Sequence, residues 1–358
     1  MAKIKTSDYT IAVSKDIASE INTFIETRRE RFSRLFILVD ENSLKCCYPQ
    51  LVAEIPAFED AEIIEIESGE ENKNIEVCAQ LWVTLDELGA DRQALFVNLG
   101  GGVIGDMGGF VASTFKRGIA FINIPTTLLA QVDASVGGKV GIDLNHVKNL
   151  VGVFNNPKAV FVNPDFIATL DNRQLLSGFA EVIKHGLIAD PGYWQKIKKT
   201  NTSSPESISK LIETSIRIKN KIVSEDPFEK SIRKALNFGH TVGHAIESHF
   251  LESGQPLLHG EAIAIGMVCE AWLSNKITGL PDESLREITT YISSLYPYHV
   301  IEKPAVEHIT ELMFHDKKNT NGKLNFSLLS EIGKCEINQT ASIDLVKKAL
   351  DYYINTVR

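Results

Sequence analysis

The sequence predicts an α/β domain built on a parallel sheet, followed by a mainly α-helical domain. Three observations predict it: strand-like and helix-like segments alternate through the first half, the texture turns helical after about residue 170, and a length of 358 residues favours two domains over one. "RLFILVD" (34–40) is a continuous apolar run ending in polar residues, as strands buried on both faces read. "AEIIEIESG" (61–69) alternates and stops at glycine, and "NKNIEVCAQLWVTLDELG" (72–89) has helical spacing with a glycine stop. "ALFVNLGGG" (94–102) is a second buried strand running into glycines; "IAFINIPTT" (119–127) and "KAVFVNP" (158–164) are further strands. Beyond "NPDFIATLD" (163–171) the segments "NRQLLSGFAEVIKHGLIAD", "SISKLIETSIRIKNKIVSE", "GHTVGHAIESHFLESG" and "GEAIAIGMVCEAWLSNKITG" all read as helix, so the boundary divides the chain into 1–170 and 171–358.

Composition narrows the function classes. At 44% hydrophobic and 23% charged residues the chain is an ordinary globular one, and its net charge of −9 argues against a nucleic-acid partner, which requires a basic field. The first twenty residues lack the apolar stretch of a secretory signal, and no apolar run approaches the length of a membrane span. The five cysteines are scattered without a C-x-x-C pair, which reads as reduced thiols in a cytoplasmic protein.

In "LFVNLGGGVIGDMGGF", Gly100, Gly102 and Gly105 satisfy G-x-G-x-x-G between a strand and a helix. Glycines there let backbone N–H groups approach a pyrophosphate, and the helix N-terminus favours the anion. Asp40, at the end of an earlier strand, is placed to accept hydrogen bonds from a ribose hydroxyl. Glu70 and Lys73, in "SGEENK", follow the next strand, at an edge where α/β sheets bind ligands. The acidic residue usual some twenty positions after the glycines is absent, so the layout differs from the standard dinucleotide one.

A basic cluster stands out in this acidic chain. "FKRG" supplies Arg117, and "AQVDASVGGKVGIDLNHVKNLVG" supplies Asp133, Lys139, Lys148 and Asn149. Lysines set among glycines and apolar residues suit phosphate or carboxylate groups. The stretch "LNFGHTVGHAIE" (236–247) then puts His240 and His244 four apart on one helix face. "FAEVIKHG" places Glu181 mid-helix among apolar residues, and "LLHGEAIAIG" places His259 at a helix start. One glutamate and histidines from three helices make a fair donor set for Zn2+, but spacing does not fix which histidine binds. Thr241 follows His240, so the H-E-x-x-H base of a metalloprotease is missing.

Taken in order, "GGGVIGDMGGF…FKRGI…IPTTLLAQVDASVGGKVGID…KNLVG" and "AEVIKHG…LNFGHTVGHAIE…HGEAIAIGM…HDKKN" resemble the 3-dehydroquinate synthase family from about residue 34 to 330. The resemblance implies an N-terminal Rossmann-like α/β domain and an α-helical C-terminal domain with the site between them. It also implies catalytic NAD+, Zn2+ or Co2+, a homodimer, and a place in the shikimate pathway. The implied reaction converts 3-deoxy-D-arabino-heptulosonate 7-phosphate (DAHP) to 3-dehydroquinate and phosphate by transient oxidation, phosphate elimination, reduction and intramolecular aldol closure.

The resemblance further implies that Glu181, His240 and His259 hold the metal, with His244 facing the substrate. Asp133, Lys139, Asn149, Lys184, Lys219, Arg233, Asn237 and Lys317 would line the substrate pocket, with Arg117 and Lys148 beside them. Lys318 is the neighbour with which Lys317 could be exchanged. Asp40, Asn42, Glu70, Lys73, Gly101, Gly102, Val103, Asp106, Thr126 and Thr127 would hold the dinucleotide, and Phe166, Thr169 and Leu170 would touch it. Many members carry glycine where this chain has Val147, so a different backbone is expected around Lys148 and Asn149. Two other readings share the fold. A glycerol or iron-type alcohol dehydrogenase would produce net NADH and has no need of so many lysines. A cyclase of secondary metabolism is disfavoured by Arg233 and Asn237, which fit a carboxylate-bearing substrate.

Overall fold

The computed structural model describes residues 1–28, 31–144, 147–314 and 324–357. They form two compact units, residues 1–171 with 204–220, and residues 172–203 with 221–358.

The first unit contains β1 (Ala2–Lys5), β2 (Thr10–Val13), α1 (Ile17–Glu26), β3 (Leu35–Asp40), α2 (Glu41–Cys46), α3 (Tyr48–Glu54), β4 (Glu62–Ile66), α4 (Ile75–Glu87), β5 (Leu95–Gly100), α5 (Gly102–Thr114), β6 (Ala120–Pro125), β7 (Lys139–Leu144), β8 (Val147–Phe154) and β9 (Val160–Val162). A seven-stranded sheet runs in the order β1-β2-β9-β6-β5-β3-β4, parallel except for the antiparallel β1–β2 pair at one edge. Strand side chains alternate between two cores. Ile37, Val39, Val97 and Ile124 pack with Ile21, Leu51 and Phe58 on one face, while Phe36, Leu38, Phe96 and Phe121 pack with Leu81, Met107 and Val111 on the other. Both faces are covered, which is why the central strands read as unbroken apolar runs. β4 alternates because it is the other edge strand.

From β3 the chain steps outward to β4 and then returns past β3 to β5. The connections reverse direction between β3 and β5, and in open parallel sheets this reversal opens a crevice at the carboxyl ends of the two strands. Asp40 ends β3 and Gly100 ends β5 at that crevice. β7 and β8 form a separate antiparallel hairpin.

The second unit is built from α6 (Asn172–Ala189), α7 (Pro191–Lys198), the end of α8 (Pro205–Glu225, whose residues up to 220 group with the first unit), α9 (His240–Glu252), α10 (His259–Ile277), α11 (Asp282–Leu295), α12 (Lys303–Phe314), the hairpin β10 (Asn325–Glu331) and β11 (Lys334–Thr340), and α13 (Ile343–Thr356). α10 is buried almost continuously from Gly260 to Ser274, as a helix enclosed by its neighbours must be. α9 lies unusually close against it. A Cβ on Gly266 would stand 2.0 Å from the Gly239 carbonyl oxygen and 2.7 Å from the Gly243 nitrogen, so only glycine allows this contact. Gly266→Ala should therefore destabilise the protein by at least the roughly 1–3 kcal/mol usual for overpacking. Denaturant titration reads this directly, and an unchanged midpoint would mean that the two helices part without cost.

Candidate active site

At the β3–β5 crevice the chain builds an anion-accepting edge. Gly101 caps α5 in an extended conformation, and a Cβ there would press to 3.1 Å from Thr127 Cγ2. Around Gly105 nothing lies within 4 Å of where a Cβ would project, which leaves open space along the first turn of α5. Asn98, Asn123, Gly100, Gly102 and Ser135 line a cavity beside it, and Asn98 Nδ2 donates to Asn123 Oδ1 at 2.9 Å. Thr126 is buried and its amide donates to the Gly100 carbonyl, joining the ends of β5 and β6.

Asp40 serves the fold as well as the crevice. Its Oδ1 accepts the Ser43 amide at 2.7 Å while Ser43 Oγ accepts the Asp40 amide, a reciprocal cap on α2 next to Asn42. Thr169 donates to the Phe166 carbonyl, and Phe166 shares a buried core with Cys47 at the end of α2, so the segment carrying Phe166, Thr169 and Leu170 sits beside that helix. Burial pushes the Cys47 thiol up to about 12, and it has no thiolate chemistry at neutral pH.

Lys73 is buried, with Nζ 2.7 Å from both Asp106 Oδ2 and Asn149 Oδ1 and 3.7 Å from Glu70. Burial works against its ammonium, but the Asp106 and Glu70 carboxylates outweigh that and hold its pKa above the usual lysine range. Lys148 reaches Glu70 at 3.5 Å. The structure thus groups Lys148 and Asn149 with Glu70, Lys73 and Asp106, the set expected around the dinucleotide. Asn149 has a left-handed backbone, φ 51°, and its amide donates to Asp143 Oδ1 at 2.6 Å.

A short π-helical turn, Ala130–Ala134, carries Asp133, whose Oδ1 lies 2.8 Å from Lys219 Nζ; Lys219 also donates to the Asp133 carbonyl at 2.6 Å. Lys139 is exposed at the start of β7. Arg117 is not brought to the crevice. It is exposed in a left-handed turn, φ 70°, after α5 and before β6, at the opposite end of the parallel strands. Lys317 and Lys318 lie outside the described residues.

In the second unit Glu181 is fully buried on α6 and paired with Lys184 one turn on, itself 1% exposed. Glu181 Oε1 stands 3.4 Å from His240 Nε2 and 3.5 Å from His259 Nε2. Donors about 2.0–2.1 Å from a tetrahedral ion lie roughly 3.3–3.4 Å apart, and both of these Glu181–histidine separations match that spacing. Both histidines are held from behind. His240 Nδ1 bonds to the Phe238 carbonyl at 3.1 Å, and His259 Nδ1 faces Glu247 Oε2 at 3.4 Å. Burial alone would lower the His259 pKa, but the Glu247 and Glu181 carboxylates outweigh it and hold it at about 9. His244 is half-buried, its ring 5.2 Å from that of His240 and 5.7 Å from that of His259, and one nitrogen from each of the three histidines lies within 4.8 Å of the others.

Other groups fix this cluster without having been evident in the sequence. Glu270, buried on α10, accepts the Gly239 amide at 2.7 Å and the Val242 amide at 3.1 Å, anchoring the first turn of α9. Glu261 accepts a bidentate pair from Arg173 and the Leu258 amide, setting the start of α10 beside His259. Arg233 is buried and donates to the Pro227 carbonyl at 2.5 Å, and Asn237 donates to Glu229 Oε1 at 2.6 Å. Among the described residues, no helix is long and apolar enough to cross a membrane.

Two family models match, 3-dehydroquinate synthase N-terminal over residues 63–177 and 3-dehydroquinate synthase C-terminal over residues 178–319. A 3-dehydroquinate synthase of Parabacteroides distasonis is 46% identical over 349 residues, spanning 97% of this chain and 98% of that one. The chain belongs to the 3-dehydroquinate synthase family. Another 3-dehydroquinate synthase, from Clostridium botulinum, is 38% identical over 94% of this chain and 96% of its own. A solved 2-deoxy-scyllo-inosose synthase complexed with carbaglucose-6-phosphate, NAD+ and Co2+ superposes with a TM-score of 0.84 at 27% identity, covering 98% of both chains. A 2-epi-5-epi-valiolone synthase from Streptomyces hygroscopicus, with NAD+ and Zn2+ bound, has a TM-score of 0.84 at 24% identity over 99% of both chains, a likeness of fold alone.

Proposed function

We propose that this chain is a 3-dehydroquinate synthase, converting DAHP to 3-dehydroquinate and inorganic phosphate with no net redox change. The observation that carries the reading is 46% identity to a 3-dehydroquinate synthase across almost the whole chain. The expected donors Glu181, His240 and His259 support it, because Glu181 Oε1 stands 3.4 Å from His240 Nε2 and 3.5 Å from His259 Nε2, the separation of two ligands on one tetrahedral ion.

Glu181, His240 and His259 would hold the metal. Asp40, Asn42, Glu70, Lys73, Gly101, Gly102, Val103, Asp106, Thr126, Thr127, Phe166, Thr169 and Leu170 would hold NAD+. When bound, the nicotinamide supplies a reversible hydride acceptor and the metal a Lewis acid toward the substrate's oxygens. The chain's own work is binding, orientation and proton handling. Lys139, Lys148, Lys184, Lys219 and Arg233 match a substrate that carries both a phosphate dianion and a carboxylate. Asp133 holds the Lys219 ammonium in place through two contacts, so the charge is preorganised before substrate arrives. Asn237 and Asn149 add neutral hydrogen bonds, and His244 would exchange a proton with the substrate on its phosphate side. Residues 1–170 would then serve as the dinucleotide domain and 171–358 as the metal and substrate domain of a cytoplasmic homodimer.

Purified protein supplied with NAD+ and Zn2+ should release inorganic phosphate from DAHP, lose that activity on chelation and regain it with Zn2+ or Co2+. Phosphate release that persists in excess chelator would remove the metal from the account, and no release at all would remove the assignment. NAD+ should also bind much more tightly than NADP+, since the Asp40 carboxylate at the crevice would repel a 2′-phosphate. Equal affinities in a titration would show that Asp40 only caps α2.

A further inference from the structure

We infer that Glu247 is a positioning residue for the metal, acting through His259. On α9, His240, His244 and Glu247 fall at i, i+4 and i+7, one continuous stripe on the helix. Glu247 is 4% exposed, and its Oε2 stands 3.4 Å from His259 Nδ1 on the neighbouring helix α10. A buried carboxylate at that nitrogen fixes the tautomer with the proton on Nδ1. In the neutral ring, the form that binds a metal, the lone pair is then on Nε2, the atom 3.5 Å from Glu181 Oε1. Carboxylate–histidine–metal arrangements raise ligand basicity and lock ring orientation. Behind His240 Nδ1 stands the neutral Phe238 carbonyl at 3.1 Å, whereas a carboxylate stands behind His259. α9 thus serves the metal twice, giving His240 directly and steering His259 from across the helix pair.

This rests on the proposed Glu181, His240 and His259 ligand set, and the test separates the two. Zinc affinity is measured by competition with a chromophoric chelator for wild type, Glu247→Gln and Glu252→Gln, the last a control on an exposed carboxylate of the same helix. NAD+ affinity and thermal midpoint are recorded in parallel. Glu247→Gln should bind zinc about 10–100-fold more weakly with NAD+ affinity unchanged, and Glu252→Gln should match wild type. Added to His259→Ala, Glu247→Gln should cost nothing further in zinc affinity, because its route to the metal is already gone.

Wild-type zinc affinity in Glu247→Gln, or a full additional loss on top of His259→Ala, would overturn the inference, even with a lowered midpoint. Should Glu247→Gln not fold, Glu247→Asp carries the test; it keeps the charge but shortens the reach, and an intermediate loss is expected, wild-type affinity being the contrary result. If instead His240→Ala holds zinc as wild type does, the ligand set fails and not the role of Glu247 alone.

Discussion

His240→Ala should purify without bound metal, whereas His244→Ala should keep near-stoichiometric metal and wild-type NAD+ affinity yet lose roughly 10²–10⁴ in kcat, the range for removing a positioned acid–base group. Added Zn2+ should not rescue His244→Ala. The motive is geometric. His240 Nε2 lies 3.4 Å from Glu181 Oε1, and its Nδ1 is engaged by the Phe238 carbonyl, so its remaining nitrogen is committed toward the glutamate. His244 is one turn, about 5.4 Å, further along α9. Elemental analysis decides the matter. A metal-free His244→Ala beside a metal-loaded His240→Ala would reverse the assignment, making His244 and not His240 the ligand that α9 supplies.

Lys184→Met should destabilise the metal-free protein by about 3–5 kcal/mol, the usual result of removing one partner from a buried ion pair. Lys184 and Glu181 are 1% and 0% exposed, so the glutamate cannot recover its lost counter-charge from water. A divalent ion at Glu181 would supply that charge instead. The rise in thermal midpoint on adding Zn2+ should therefore be larger for Lys184→Met than for wild type, while DAHP turnover by the zinc-loaded variant falls. Equal zinc-induced stabilisation of the two proteins would show that Lys184 and the metal do not answer the same carboxylate.

Much of the first unit was legible because its central strands are buried on both faces. Leu35–Asp40, Leu95–Gly100 and Ala120–Pro125 leave no room for polar residues, and their apolar runs are hard to misread. The β7–β8 hairpin was not legible as strand. Gly141 and Gly152 face each other in it, and its charged residues break the apolar pattern of a strand. The β10–β11 hairpin, within a stretch otherwise helical, is hidden because β11 has no apolar run and its residues alternate only between half-buried and exposed.

The candidate metal donors are visible in the sequence as residue types, but the choice among three histidines rests on family resemblance, to which the structure adds the distances of His240 and His259 from Glu181. Groups that act from behind were the hardest to see. Glu247, Glu261 and Glu270 meet His259, Arg173 and the start of α9 across helix pairs, and no spacing within one helix reveals a partner on another. The pairing of Lys148 and Asn149 with Glu70 and Lys73 was hidden for the same reason, since some seventy-five positions separate them.

The assignment is tested most directly by following phosphate and NADH together during DAHP turnover with catalytic NAD+. A 3-dehydroquinate synthase returns every hydride it takes, so phosphate should accumulate over many turnovers per NAD+ while NADH absorbance stays flat. NADH that rises in step with substrate consumption, without phosphate, would place the chain's activity with the dehydrogenases that share its fold and contradict the account.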